Sequence, residues 1–123
     1  MAWVAIALGG ALGSLARHAV NHATHMRWPT FPVGTVLVNL SGCFVIGLLA
    51  GLIAAKRISM PFYWREFVFV GILGGFTTFS TFSLDTLVLM RAHPGYAGLN
   101  VIVQVIGSLV GVWVGYRCGL ALS

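Results

Sequence analysis

The spacing of its apolar runs constrains this chain more than any other feature. Four stretches, about residues 3–21, 33–55, 65–91 and 99–121, carry almost no charge. Each lies near the roughly 20 residues that a helix needs to cross a bilayer core. Only short polar clusters separate them. With 59% hydrophobic and 7% charged residues among 123, the chain has too little polar surface to clothe a soluble domain of its size. A membrane span must pair all of its backbone, so it is either a helix or a strand of a closed barrel. These runs are too long and too evenly apolar for the alternating segments of a barrel. The expected fold is an all-α membrane protein, one domain of four transmembrane helices.

The connections agree with that reading. NHATHMRWPTFP carries polar residues, prolines and Trp28, and AKRISMPFYWRE sets basic residues beside Tyr63 and Trp64, as at a membrane interface. RAHPGYAG is short and punctuated by Pro and Gly. The first run lacks a basic leader and a small-residue cleavage site, so it is expected to be retained as a helix. The net charge of +5 comes from basic residues scattered singly at helix ends, which suits headgroups and not nucleic acid. Cys43 and Cys118 lie inside apolar runs and read as small hydrophobes.

The third run is too long for a straight crossing, and near its middle stands GGFTTFSTF, Gly74 to Phe82. A break there would use up the excess length. Gly74-Gly75 permits non-helical backbone, and the Thr and Ser hydroxyls can pair with main-chain groups that the break frees. Unwound backbone at membrane depth survives only where it is buried or lines a polar cavity, and its carbonyls could hold a small cation. A glycine hinge with no ligand is the plain alternative.

Glycines also form ridges. Gly107, Gly111, Gly115 and Gly119 recur every four residues in the last run, Gly47 and Gly51 in the second, Gly9 and Gly13 in the first. Such ridges let helix backbones approach closely in lipid, and another copy of the chain is the expected partner. Lys56, Arg57, Arg65 and Arg117 fall on one side of the membrane, against Arg17, Arg27 and Arg91 on the other. So small a bias does not fix an orientation, which suits a dual-topology, antiparallel homodimer, with orientation by another partner protein as the alternative.

Polar groups inside the runs mark candidate sites. The Asn39 amide can donate to an anion or glue helices together. Asn100, Gln104 and Ser108 form a polar track of uncharged donors, suited to an ion that must enter and leave. Phe79 and Phe82 are about 60° apart around a helix, and ring edges can meet an anion, although ordinary packing is the commoner role for such rings. Arg17 is the one basic residue placed to join a polar pathway. His18, His22 and His25 have helical spacing that could bind a metal at an interfacial end. Asp85 invites a partner such as Arg17 or Arg91. It is also the sole acid that a proton-coupled exporter of cationic drugs, the alternative function for so small a chain, could use.

GGALGSLAR (Gly9 to Arg17), GTVLVNLSGCFVIG (Gly34 to Gly47) and GGFTTFSTFSLD (Gly74 to Asp85) together resemble the signatures of the Fluc, or CrcB-type, fluoride channels, in order and across the chain. The resemblance implies passive fluoride export across a bacterial inner membrane by an antiparallel homodimer whose third helices are broken. It implies a central sodium ion held by the backbone carbonyls of Gly74 and Thr77 from both subunits. It also implies a fluoride pathway along Asn39, Phe79, Ser80, Thr81, Phe82 and Ser108, with Arg17 near a vestibule, and Gln104 joins that pathway by its own uncharged donor. The fourth helix departs from the family pattern: Asn100 and Gln104 stand where a Tyr and then a Ser are expected.

Overall fold

The computed structural model of the chain describes residues 1–122, and among these every regular element is helical. The first helix is Ala2–His25, the second Val33–Ala54 and the fourth Pro94–Ala121. The third span, Phe62–Ala92, is composite. It opens as an α-helix over Phe62–Arg65, widens to a π-helix over Glu66–Leu73, and returns to α over Gly74–Phe76. After Thr77 and Thr78 a new helix runs over Phe79–Ala92. All four spans are long and apolar enough to cross a membrane. As a straight α-helix the 31 residues of the third span would reach about 46 Å, against a hydrocarbon core of about 30 Å. The break and the flatter π turns both shorten that reach.

The fourth helix begins at Pro94, earlier than its apolar run suggests. Proline lacks the N–H that a first turn leaves unpaired, and its φ is already helical. The turn to the third span is therefore His93 alone, whose N–H closes that span on the Leu89 carbonyl at 2.6 Å. The second helix ends where Arg57 N–H meets the Leu52 carbonyl (2.9 Å) and Lys56 N–H meets the Ile53 carbonyl (3.0 Å). Lys56 takes φ 57°, the left-handed cap position usually left to glycine.

Glycine sets the packing. The second and fourth helices make the most extensive contact. A side-chain carbon on Gly47 would strike the Val112 carbonyl oxygen, one on Gly51 that of Tyr116, and one on Gly115 that of Phe44. Gly107 and Gly111 lie against Leu40, and Gly119 against Leu48. The ridge of the fourth helix is thus used within the chain, against the second helix. Two apolar helices gain most in lipid where their backbones touch, and these two carry complementary ridges. The first helix seats on the third span in the same way, Gly9 on Phe67 and Gly71, Gly13 on Ile72 and Phe76.

The small interior holds nearly as many polar as apolar side chains. Val38, Leu73, Phe82, Leu89 and Ala97 are buried, and so are Thr35, Thr78, Asn100 and Gln104.

Candidate functional site

The third span breaks at two threonines. Thr77 has ψ 157°, and Thr78 has φ −154° and ψ 118°, both extended. Branching at Cβ favours that backbone. The preceding glycines stay helical, Gly74 at φ −63° and ψ −36° and Gly75 within the same turn, which corrects the expectation that Gly-Gly is the unwound stretch. Gly75 is small because the first helix passes over it: a Cβ there would lie 2.7 Å from the Gly10 carbonyl oxygen. Gly74 instead faces open space, with the Phe69 carbonyl oxygen at 3.7 Å as the nearest neighbour of such a carbon.

Side chains hold the break open. In a continuous helix the Thr78 N–H would donate to the Gly74 carbonyl, and the Thr81 N–H to the Thr77 carbonyl. Here Thr78 N–H donates to Asn39 Oδ1 at 2.8 Å, and Thr81 N–H to Thr78 Oγ1 at 3.2 Å, which caps the new helix. Asn39 Nδ2 also donates to the Thr78 carbonyl at 3.0 Å, so one carboxamide grips both main-chain groups of one residue. Gly42 makes room for this, since a Cβ there would collide with the Thr77 methyl. The Gly74 and Thr77 carbonyls are consequently released from their helical donors. Arg17 Nη1 approaches the Thr77 oxygen at 3.5 Å.

The other candidate residues surround the first turns of the new helix. The rings of Phe79 and Phe82 meet edge to face, 5.3 Å apart at 61°. Phe82 is buried, whereas Phe79 turns 76% of its surface out of the chain. Thr78 Oγ1 lies 3.1 Å from Thr81 Oγ1 and 3.3 Å from Ser80 Oγ, a cluster of three hydroxyls at the helix start. Asn39 Nδ2 donates its second proton to Gln104 Oε1 at 2.6 Å, so both of its donors are engaged inside the chain. Gln104 and Asn100 are buried on the fourth helix, and Ser108 is half-buried one turn beyond.

A cavity of about 510 Å³ opens beside this helix, lined by His18, His22, Thr35, Thr81 and Asp85 among others. Asp85 accepts from Thr35 Oγ1 at 3.0 Å, while Arg17, which its charge suggested as partner, turns to Thr77. The His18 and His22 rings stack 6.2 Å apart. Among the described residues no three His, Cys, Asp or Glu gather closely enough to hold a metal.

Sequence reasoning missed Thr78, which is both the cap and the residue that Asn39 grips. The available signal was a threonine directly before a helical run, the ordinary N-cap pattern, obscured by three neighbouring hydroxyl residues.

Comparison with known proteins bears on this arrangement. The family model described as CrcB-like protein, Camphor Resistance (CrcB), matches residues 4–116. A protein of Opitutus terrae named fluoride-specific ion channel FluC is 46% identical over 121 residues, covering 96% of this chain and 92% of the relative. One of Rhodospirillum rubrum with the same name is 42% identical, covering 94% of this chain and 92% of the relative. Fluoride-specific ion channel FluC 2 of Nitrobacter hamburgensis is 46% identical, covering 94% of each.

Proposed function

This chain belongs to the CrcB-like family, and from that premise we propose that it is a fluoride-selective channel of a bacterial inner membrane, exporting fluoride passively to relieve its toxicity. The observation that carries the reading is similarity to FluC channels along nearly the whole chain. The geometry of the break supports how such a channel would work. Proton-coupled drug export, which needs a deeply buried titrating acid, finds only Asp85, half-buried beside the cavity and held by Thr35.

The working unit is an antiparallel homodimer. A released carbonyl facing lipid would cost several kcal/mol, so the open side of Gly74 calls for a second copy packed across the break. The outward ring of Phe79 and the balanced basic residues support the same partner. The Gly74 and Thr77 carbonyls are hard oxygens without helical donors, and this donor chemistry fits sodium. Two such pairs, one from each copy, would hold the ion, whose charge neutralises the released oxygens.

Fluoride passes beside that centre. The hydroxyls of Ser80 and Thr81 replace part of its water, and the positive edges of Phe79 and Phe82 face it along one helix. Ser108 extends the path on the fourth helix, and Arg17 adds positive charge near the break. Asn39 would meet the ion only by giving up an internal bond, so its first role is to hold the wall, with the buried Gln104 bonded behind it. Uncharged donors bind a halide firmly enough to admit it and weakly enough to release it.

Efflux from liposomes tests the proposal. Purified protein should release fluoride and retain chloride, with no need for a proton gradient. Equal release of both ions, or release only against a proton gradient, would remove it.

A further inference from the structure

The two positions at which the fourth helix departs from the expected Tyr and Ser are bonded to each other, Gln104 Nε2 donating to Asn100 Oδ1 at 2.9 Å. Their bond belongs to a longer series. Thr78 N–H donates to Asn39 Oδ1 (2.8 Å), Asn39 Nδ2 to Gln104 Oε1 (2.6 Å), and Gln104 Nε2 to Asn100 Oδ1. Asn100 Nδ2 then donates to Thr86 Oγ1 (3.0 Å), and the Thr86 hydroxyl to the Phe82 carbonyl (2.8 Å). Every bond points the same way. The series starts at a main-chain N–H, which can only donate, and ends at a main-chain carbonyl, which can only accept. Each amide between them must therefore present its oxygen to the preceding member and its nitrogen to the next. Turning one amide over would set donor against donor in a buried site, where Asn100 is fully buried and Gln104 is 3% exposed. Aligned bonds also polarise and strengthen one another.

We propose that Asn100 and Gln104 are positioning residues, a one-way hydrogen-bonded brace that fixes the orientation of the Asn39 amide and so keeps the third span broken. The brace leaves the new helix at Thr78, crosses the second and fourth helices, and returns to the same helix at Phe82. Phe79 lies between its two ends and Phe82 is the far end, so it sets the height of both rings against the rest of the chain. Gln104 acts through Asn39, and Asn100 acts through Gln104 and Thr86. This extends the proposed channel function by assigning the two unusual amides to its wall and not to its ion.

The test pairs main-chain hydrogen exchange at Thr78, which does not depend on the ion conducted, with fluoride efflux from liposomes. Gln104→Met keeps the length and removes both polar ends. It should speed exchange at Thr78 by about tenfold, the equivalent of one buried hydrogen bond, and depress efflux. Added to Asn39→Ala, it should cause no further loss, because both act on the same link. Gln104→Glu restores both readouts at low pH, where the protonated acid accepts from Asn39 and donates to Asn100 as glutamine does, and loses them once ionised. Thr86→Val, a milder cut at the far end, should shift both readouts in the same direction if Gln104→Met fails to fold. Wild-type exchange at Thr78 in Gln104→Met or Thr86→Val, with or without lost efflux, would overturn the brace. So would losses that multiply between Asn39→Ala and Gln104→Met.

Discussion

Replacing Asn39 with leucine removes three hydrogen bonds, the two that grip Thr78 and the one to Gln104. A net hydrogen bond contributes about 1 kcal/mol in proteins generally and about 0.6 kcal/mol on average between membrane helices, so the three stabilise by about 2–3 kcal/mol. Part of this is recoverable. Freed from Asn39, Thr78 N–H can turn to the Gly74 carbonyl as in a continuous helix, returning about 1 kcal/mol. The net loss is then about 1–2 kcal/mol, mild enough for the protein to fold. The healed helix has consumed one of the two released oxygens, however, and has moved Phe79 and Phe82 with it. Thermal unfolding in detergent should show the modest loss, and a fluoride electrode should show efflux from liposomes all but gone. Fluoride efflux at the wild-type rate, from protein that melts as the wild type does, would refute the claim that Asn39 holds the break open.

Other substitutions address separate parts of the account. Phe79→Ile and Phe82→Ile should each stop fluoride efflux while the protein still elutes as the wild type does, since they remove the ring edges and leave the Asn39 grip in place. Asn39→Asp should block as well, because its charge repels the anion and opposes the Thr78 carbonyl and Gln104 Oε1. Gly115→Val, driven into the Phe44 carbonyl, should lower stability by about 1–3 kcal/mol, whereas Gly95→Ala, in open space, should be neutral or stabilising in the same melt. Lys56→Gly should raise stability by about 1 kcal/mol by relieving its left-handed backbone.

Much of the fold was legible because lipid leaves a chain few choices. Four apolar runs of spanning length must be helices, and a run too long for the bilayer must bend or break. The position of the break was not legible. Glycine is permissive in isolation, yet Gly75 stays helical where the first helix passes over it, and the two threonines, Thr78 gripped by Asn39, carry the extended backbone. A contact between distant segments decided this, as it decided the partner of the glycine ridge on the fourth helix. Asn39, Gln104 and Asn100 stood out as intramembrane polar residues. That they bond to one another, and in which direction, depends on the crossing of the second and fourth helices, which no local pattern encodes. The π-helical turns over Glu66–Leu73 left no trace in the sequence.

The most direct measurement is a high-resolution experimental structure of the purified protein in sodium. The account predicts two copies in opposite orientation, with one ion between them in contact with the Gly74 and Thr77 carbonyl oxygens of each. Parallel copies, or a continuous helix in which Thr78 N–H returns to the Gly74 carbonyl, would contradict it.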